Sequence, residues 1–356
     1  MVCPSPASIK SPVPLKMKKL KTKKPEEVML GICGGVGPAA GLLLHQLILQ
    51  NTDSAGEDQG HLNVCHFSRS QDMTDRTEYL VYAATSSVDT TDSDSETEST
   101  NGEIPYDSSD SMEVENPACG MARTFAMMHA AATAGHARLV VGVPCNTFHA
   151  EPIWNEFIRR TGQASCVHHV HMLEETVAFI ASKLPTCKRV GLLSTTGTRD
   201  SRVYHDLLEP RGYTVVEVNA GTMQQELHES IYNREWGVKS TAPAVSQRSE
   251  TNFHRYALHL RDKGAEAIIL GCTEIPFVFA DKTHFAGCLF INPMVALARA
   301  MIREADSSRL KSLESSNTPT NMYHVVPVTG SVSLLPSLEL VGCTSSSPYS
   351  VPPPSN

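Results

Sequence analysis

The sequence predicts an α/β protein whose sheets are mostly parallel. Short apolar runs alternate with longer helical stretches along much of the 356 residues, the arrangement that lays helices over both faces of a parallel sheet. The first apolar run ends in Gly34-Gly35-Val36-Gly37-Pro38 and leads straight into a helical stretch, the opening of a βα unit. A content of 41% hydrophobic and 19% charged residues suits a soluble globular body with unstructured additions.

The elements follow in order. Val28 to Cys33 predicts a strand, and Ala39 to Leu49 the helix after the glycine turn. His61 to Phe67 predicts a second strand, and Met73 to Tyr82 a loop leading into a short helix. Ser86 to Glu115 breaks the pattern. It is almost all Ser, Thr, Asp and Glu, cannot repay its ordering entropy, and is expected to hang from a surface loop as a disordered acidic insertion. Pro117 to Ala134 then predicts a helix and Arg138 to Val143 a strand, with Pro144-Cys145-Asn146-Thr147 just past its end. Glu151 to Arg160 reads as helical, Val167 to His171 as strand-like, Leu173 to Lys183 as helical and Arg189 to Leu193 as a strand. A turn over Ser194 to Thr198 precedes a helix over Ser201 to Glu209 and a strand over Tyr213 to Val218. Met223 to Tyr232 and Asn252 to Lys263 are helical, and the strand Ala267 to Leu270 runs into Gly271-Cys272-Thr273-Glu274. Cys288 to Ile291 is the last strand and Pro293 to Glu304 the last core helix.

Composition removes several classes of function. A net charge of -8 argues against nonspecific nucleic-acid binding, which needs a basic surface. No stretch approaches the roughly 20 apolar residues of a membrane span. The lysine-rich opening, Lys16 to Lys24, runs into Pro25-Glu26-Glu27 rather than an apolar core, so it predicts a basic disordered arm and not a secretory leader. The 10 cysteines show no C-x-x-C pair and no regular spacing, which predicts a reducing, cytoplasmic setting.

Two of those cysteines need more than a packing role. Cys145 and Cys272 each stand immediately after a predicted strand and before small polar residues, Asn146 and Thr147 in one case and Thr273 in the other. In open α/β sheets ligands bind beyond the C-terminal strand ends, where backbone N–H groups and helix N-termini favour a carboxylate and a thiolate. Inverting an α-carbon needs a base on one face and an acid on the other, and two facing thiols can exchange those roles. Donors fixed around the carboxylate would stabilise the growing charge. Glu274 could tune Cys272 or cap the following turn, and His149 lies four positions after Cys145, within reach of supporting it. Cys33, at the glycine turn, is expected to pack. His168, His169 and His171 lack the partners of a typical zinc spacing apart from Cys166, so no metal is expected.

These pieces together resemble the aspartate/glutamate racemase superfamily, most closely its aspartate racemase branch. The matching segments are Gly34 to Pro38, Asp75-Arg76-Thr77, Asn116-Pro117-Ala118, Pro144 to Thr147, Leu192 to Thr198, Tyr204 and Leu270 to Glu274, in order along residues 28 to 304. The resemblance implies two similar Rossmann-like domains with the active site in the cleft between them, and racemisation without pyridoxal phosphate or any other cofactor. It also implies a small acidic amino acid as substrate and a homodimer as the assembly. It divides the chain into a basic arm (1–27), a first domain (28–146 with 275–305, carrying the insertion 86–115), a second domain (147–274) and a Ser/Pro-rich tail (306–356). By position it makes Cys145 and Cys272 the proton-transfer pair and Arg76 the grip on the side-chain carboxylate. Asn146, Thr147 and Thr273 orient the α-carboxylate. Thr196 and Arg199 join the substrate site, and Gly35 and Gly37 shape the turn that approaches the ligand. The chain departs from the pattern at Arg199-Asp200, where relatives carry a basic residue two positions after Gly-Thr, and at Asn292, where they carry Asp. Interconversion of L- and D-aspartate is the leading expectation. Glutamate or broad specificity, a related lyase or isomerase, and a non-catalytic amino-acid binder are the alternatives.

Overall fold

The computed structural model describes residues 27–86, 114–162, 166–279 and 282–313. The basic arm up to residue 26, residues 87–113 of the acidic run and the tail from 314 lie outside the described residues.

The first half opens with β1 (Glu27–Gly34), α1 (Pro38–Asn51), β2 (Asn63–Ser68), α2 (Arg76–Ser86), α3 (Pro117–Ala134) and β3 (Ala137–Gly142). It continues with α4 (Glu151–Thr161), β4 (Val167–Val170) and α5 (Met172–Lys183). The second half contains β5 (Arg189–Ser194), α6 (Thr196–Asp200), α7 (His205–Leu208), β6 (Thr214–Glu217) and α8 (Thr222–Tyr232). There follow α9 (Val238–Thr241), α10 (Gln247–Asp262), β7 (Ala267–Gly271), α11 (Ile275–Val278), β8 (His284–Phe285), β9 (Cys288–Ile291) and α12 (Pro293–Asp306). Side-chain caps fix several boundaries. Asn116 accepts from the Ala118 N–H at 2.9 Å ahead of α3, and Asn292 accepts from the Met294 N–H at 3.0 Å ahead of α12.

The two halves repeat one topology. The first sheet has the order β2-β1-β3-β4, all parallel, and the second has β6-β5-β7-β9 in parallel with β8 added antiparallel at its edge. In each sheet the order reverses between two central strands, β1 and β3 in one and β5 and β7 in the other, and the crevice at such a switch point is where α/β proteins bind ligands. One buried cluster runs from Leu30, Ile32 and Val140 of the first sheet to Val190, Leu192 and Ile269 of the second, through Leu44, Val177 and Leu297. Separate clusters fill the outer face of each sheet.

Strand pairing cuts the chain differently from the expected partition. β4 lies within 147–274 but pairs with β3 of the first sheet, and β9 lies within 275–305 but pairs with β7 of the second. Of the helices in 275–305, α12 does join the first half, packed on α1 and β3, and also on α5. The helix expected over Ser201 to Glu209 is broken, because Arg202 takes a left-handed φ of 52° and only His205–Leu208 is helical. The turn expected over Ser194 to Thr198 already starts α6, capped by Thr195 Oγ1 on the Thr198 N–H at 3.2 Å. At the edges of the acidic run, Ser86 still belongs to α2, and Glu115 binds Arg123, which also holds Asp72.

Candidate active site

Loops from both sheets surround one small cavity. Val36 follows β1, Cys145, Asn146 and Thr147 follow β3, Thr195 follows β5, and Cys272 and Thr273 follow β7. Arg76 at the start of α2, Tyr232 at the end of α8, Lys239 of α9 and Gly271 at the end of β7 complete the lining. The cavity measures about 10 Å³, the space of a single water.

Arg76 is brought in by the cap of its own helix. Asp75 Oδ1 accepts the N–H groups of Thr77 and Glu78 at 2.8 and 3.0 Å. The Arg76 guanidinium donates to the carbonyls of Thr74 and Val36, each at 3.3 Å, while its Nε is buried without a protein partner. Burial works against its charge, but Cys145, Tyr232 and Asp75 outweigh burial and hold the guanidinium above its ordinary value. Asn146 accepts the Tyr204 hydroxyl on Oδ1 at 2.6 Å, and its Nδ2 is likewise buried and unpartnered. A buried donor left unsatisfied is costly, so both groups favour a ligand that accepts.

His149 supports Cys145 from behind. Its Nε2 accepts the Met172 N–H at 3.2 Å, which leaves Nδ1 as the donor to the Cys145 carbonyl at 2.8 Å. Burial, with His171 alongside, pushes the imidazole well below its ordinary range, so it stays neutral.

Cys272 stands in a different field. Its Sγ donates to Glu274 Oε2 at 3.1 Å, the Thr273 hydroxyl donates to the same oxygen at 2.9 Å, and Lys239 Nζ donates to Oε1 at 2.9 Å. Burial and then the Glu274 charge push the Cys272 thiol up. Burial pushes Glu274 the other way from its partners, and Lys239 prevails, holding the carboxyl below its usual range. Burial also pushes the Tyr232 phenol up to about 12.

Other expected site residues stand back from the cavity. Gly35 has φ 96°, and a Cβ there would meet the Arg69 backbone at 2.9 Å; Gly37 has φ 147°, and its missing side chain makes room for Glu274 Oε1, 2.8 Å from where a Cβ would be. The turn therefore admits protein atoms, and Val36 between the glycines is what lines the cavity. Thr196 borders a neighbouring groove and gives its N–H to His228; Thr195 reaches the cavity instead. Arg199 turns away to Glu217 at 3.2 Å, the Val218 carbonyl and Gln224, since α6 directs it towards β6. Asp200 borders the groove as well. The Thr147 hydroxyl is engaged by Thr198 at 2.8 Å. Cys33 is fully buried in the first sheet's outer core, and Cys166 is exposed beside His129. The three neighbouring histidines diverge: His168 faces Glu304, His169 bonds Thr161 and His171 caps α5.

The sequence did not single out Lys239 or Tyr232. Neither sits in a glycine turn or at a strand end, and in Val238-Lys239-Ser240 nothing separates the lysine from a solvated one. Only its ion pair with Glu274, a residue 3% exposed, brings it to the site.

Fold and cavity together define a class: an α/β protein with a repeated strand order and one thiol at the end of the corresponding strand of each sheet. The family profile described as Asp/Glu/Hydantoin racemase matches residues 70–301, more than half of the sequence, and the chain belongs to that family. The fold is shared with an aspartate racemase of Picrophilus torridus, with 22% identity, a TM-score of 0.57 and coverage of 80% of this chain and 96% of that one. An aspartate racemase homologue from Pyrococcus horikoshii OT3 is similar at 17% identity and a TM-score of 0.51, covering 78% of this chain and 99% of that one. An uncharacterized protein of Pectobacterium carotovorum subsp. carotovorum is 35% identical over 107 residues, which span 29% of this chain and 64% of that protein.

Proposed function

We propose that the protein interconverts L- and D-aspartate without a cofactor, using Cys145 and Cys272 as an acid–base pair. The observation that carries this reading is the shared cavity: two thiols from corresponding strand ends, with cationic Arg76 and Lys239 in the same lining. One cysteine, as thiolate, removes the α-proton, and the other, as thiol, returns a proton to the opposite face. The carbanion's charge spreads into the α-carboxylate, where Asn146 Nδ2 offers an unpartnered donor. Arg76, with its free Nε, grips the side-chain carboxylate, and Lys239 supplies a second positive charge. Thr147 and Thr273 hold their neighbours in register through Thr198 and Glu274. Two cations at the cavity favour a dicarboxylate over a neutral amino acid.

The test is incubation of the purified full chain with L-aspartate, without added cofactor, followed by chiral separation. D-aspartate should accumulate to equal amounts with the L-form. A panel with glutamate and neutral amino acids ranks the substrates. Failure to form the opposite enantiomer of any of them would leave a binder on a racemase fold.

A further inference from the structure

We infer that Glu274 is the positioning residue that makes the two thiols unequal, keeping the proton on Cys272 so that the resting enzyme holds Cys272 as the acid and Cys145 as the base. The inference deepens the racemase reading and rests on it for its catalytic meaning, though the protonation order can be measured without turnover.

The argument starts from what faces each sulfur. At Cys145 the charged neighbour is a cation: Arg76, oriented by its own helix cap, lines the same cavity and interacts with the thiol through its charge. At Cys272 the nearest charged neighbour is an anion, since Sγ donates to Glu274 Oε2 at 3.1 Å. A hydrogen bond from S–H to a carboxylate exists only while the sulfur keeps its proton, and a thiolate there would face a negative oxygen instead. Tyr232 and Lys239 also face Cys272, and the lysine's charge only partly offsets that of the carboxylate.

Glu274 is itself fixed as a carboxylate. Lys239 holds Oε1 at 2.9 Å, and Thr273 and Cys272 share Oε2. Its Oε1 also occupies the space beside Gly37 that a side chain there would take. The carboxylate is thus satisfied on both oxygens, and the thiol proton is part of that satisfaction. In the first half-cycle Cys145 Sγ takes the α-proton and becomes a thiol, while Cys272 gives its proton to the other face of the carbon and becomes a thiolate. The pair then stands reversed, with a thiolate against Glu274. Gain of a solvent proton at Cys272 and loss of one from Cys145 restores the resting form.

Enantiomers have equal free energy, so kcat/KM must be the same in both directions and cannot reveal this asymmetry. The protons can. Infrared difference spectra of the full chain isolate each S–H stretching band, as wild type minus Cys145→Ala and wild type minus Cys272→Ala. With rising pH the Cys145 band should vanish first and the Cys272 band later. Glu274→Gln should bring the Cys272 midpoint down by about one pH unit or more, with the Cys145 midpoint little changed. The basic limb of the kcat/KM profile should move down with it. If Glu274→Gln fails to fold because Lys239 is stranded, the combined Glu274→Gln, Lys239→Met variant removes both charges and should move the midpoint in the same direction by less. Loss of the Cys272 band first, or together with that of Cys145, overturns the inference. So does a Cys272 midpoint that ignores the loss of Glu274. An enzyme that shows the ordered titration but no racemisation would sink the racemase reading and leave the assignment of protons intact.

Discussion

At the residue scale the proposed chemistry rests on Cys145, Cys272 and Arg76, and each can be replaced alone. Cys145→Ala and Cys272→Ala should each abolish racemisation while keeping the fold. In heavy water each variant retains one base, so it should exchange the α-proton of one enantiomer only, and the two variants should be complementary by proton NMR. Full racemisation by either variant would refute the two-thiol mechanism. Arg76→Lys keeps the charge but loses the planar fork and the Nε donor. It should lower kcat/KM for aspartate by roughly 10- to 100-fold, the scale of one hydrogen bond to a charged group, and unchanged kinetics would remove Arg76 from the site. Lys239→Met strands the Glu274 carboxylate and should cost about 3–5 kcal/mol of stability. The pH dependence follows in sign. The folded state holds Glu274 below its ordinary range, so its contribution is present above the unfolded glutamate value and is lost as pH falls through the folded one. Thermal melts should therefore show wild type losing part of its advantage over Lys239→Met on acidification, because the stranded carboxyl gains from protonation.

At the scale of elements, α2 carries Arg76 and none of its residues is fully buried, so it is the most loosely held wall of the site. The cavity of about 10 Å³ cannot take an amino acid, and α2 meets α6 where a Cβ on Gly197 would come within 2.3 Å of Thr77 Oγ1. Gly197→Ala should therefore push α2 outward and displace Arg76, lowering kcat/KM by about tenfold or more, with an overpacking cost of about 1–3 kcal/mol. Adding Thr77→Ala removes the two nearest atoms, Oγ1 and Cγ2, and should recover much of the loss. Steady-state kinetics of the single and double variants decide this, and a Gly197→Ala enzyme of wild-type activity would show that the contact does not position Arg76. Aspartate binding should also change amide hydrogen exchange in α2 more than in α3, whose apolar face is buried among Met121, Phe125 and Met128.

For the whole molecule, the continuous core through both sheets predicts one cooperative unfolding transition for the described body. Replacing residues 87–113 with a short Gly/Ser linker should leave that transition in place, with neutral or slightly higher stability, because closure entropy changes slowly with loop length. The deletion stops short of Glu115, whose ion pair with Arg123 shares that guanidinium with Asp72 of the segment after β2. Loss of cooperative melting in the deletion variant would show that the acidic run contributes to the core.

Most of the elements were legible because their causes are local. Apolar runs, glycine turns and Asn or Pro at helix starts fix where strands and helices begin, and Pro117–Ala134 and Cys288–Ile291 coincide with the residues expected. The sequence also determined which two cysteines stand at strand ends, since a motif and its strand are neighbours along the chain. Which sheet each strand joins was decided only by tertiary pairing. β4 and β9 crossed the expected boundary because each pairs with a strand shortly before it in the chain, β3 and β7, and hydrogen bonds along a strand edge leave no local mark. The same holds for the site's electrostatics. Arg199 sits where a substrate cation was expected and is spent on Glu217, while Lys239, in no motif, reaches Glu274. Charge is written in the sequence, but the direction a charged side chain takes depends on which opposite charge burial brings within hydrogen-bond reach, and here that is settled only when the helices of the second half pack around their sheet.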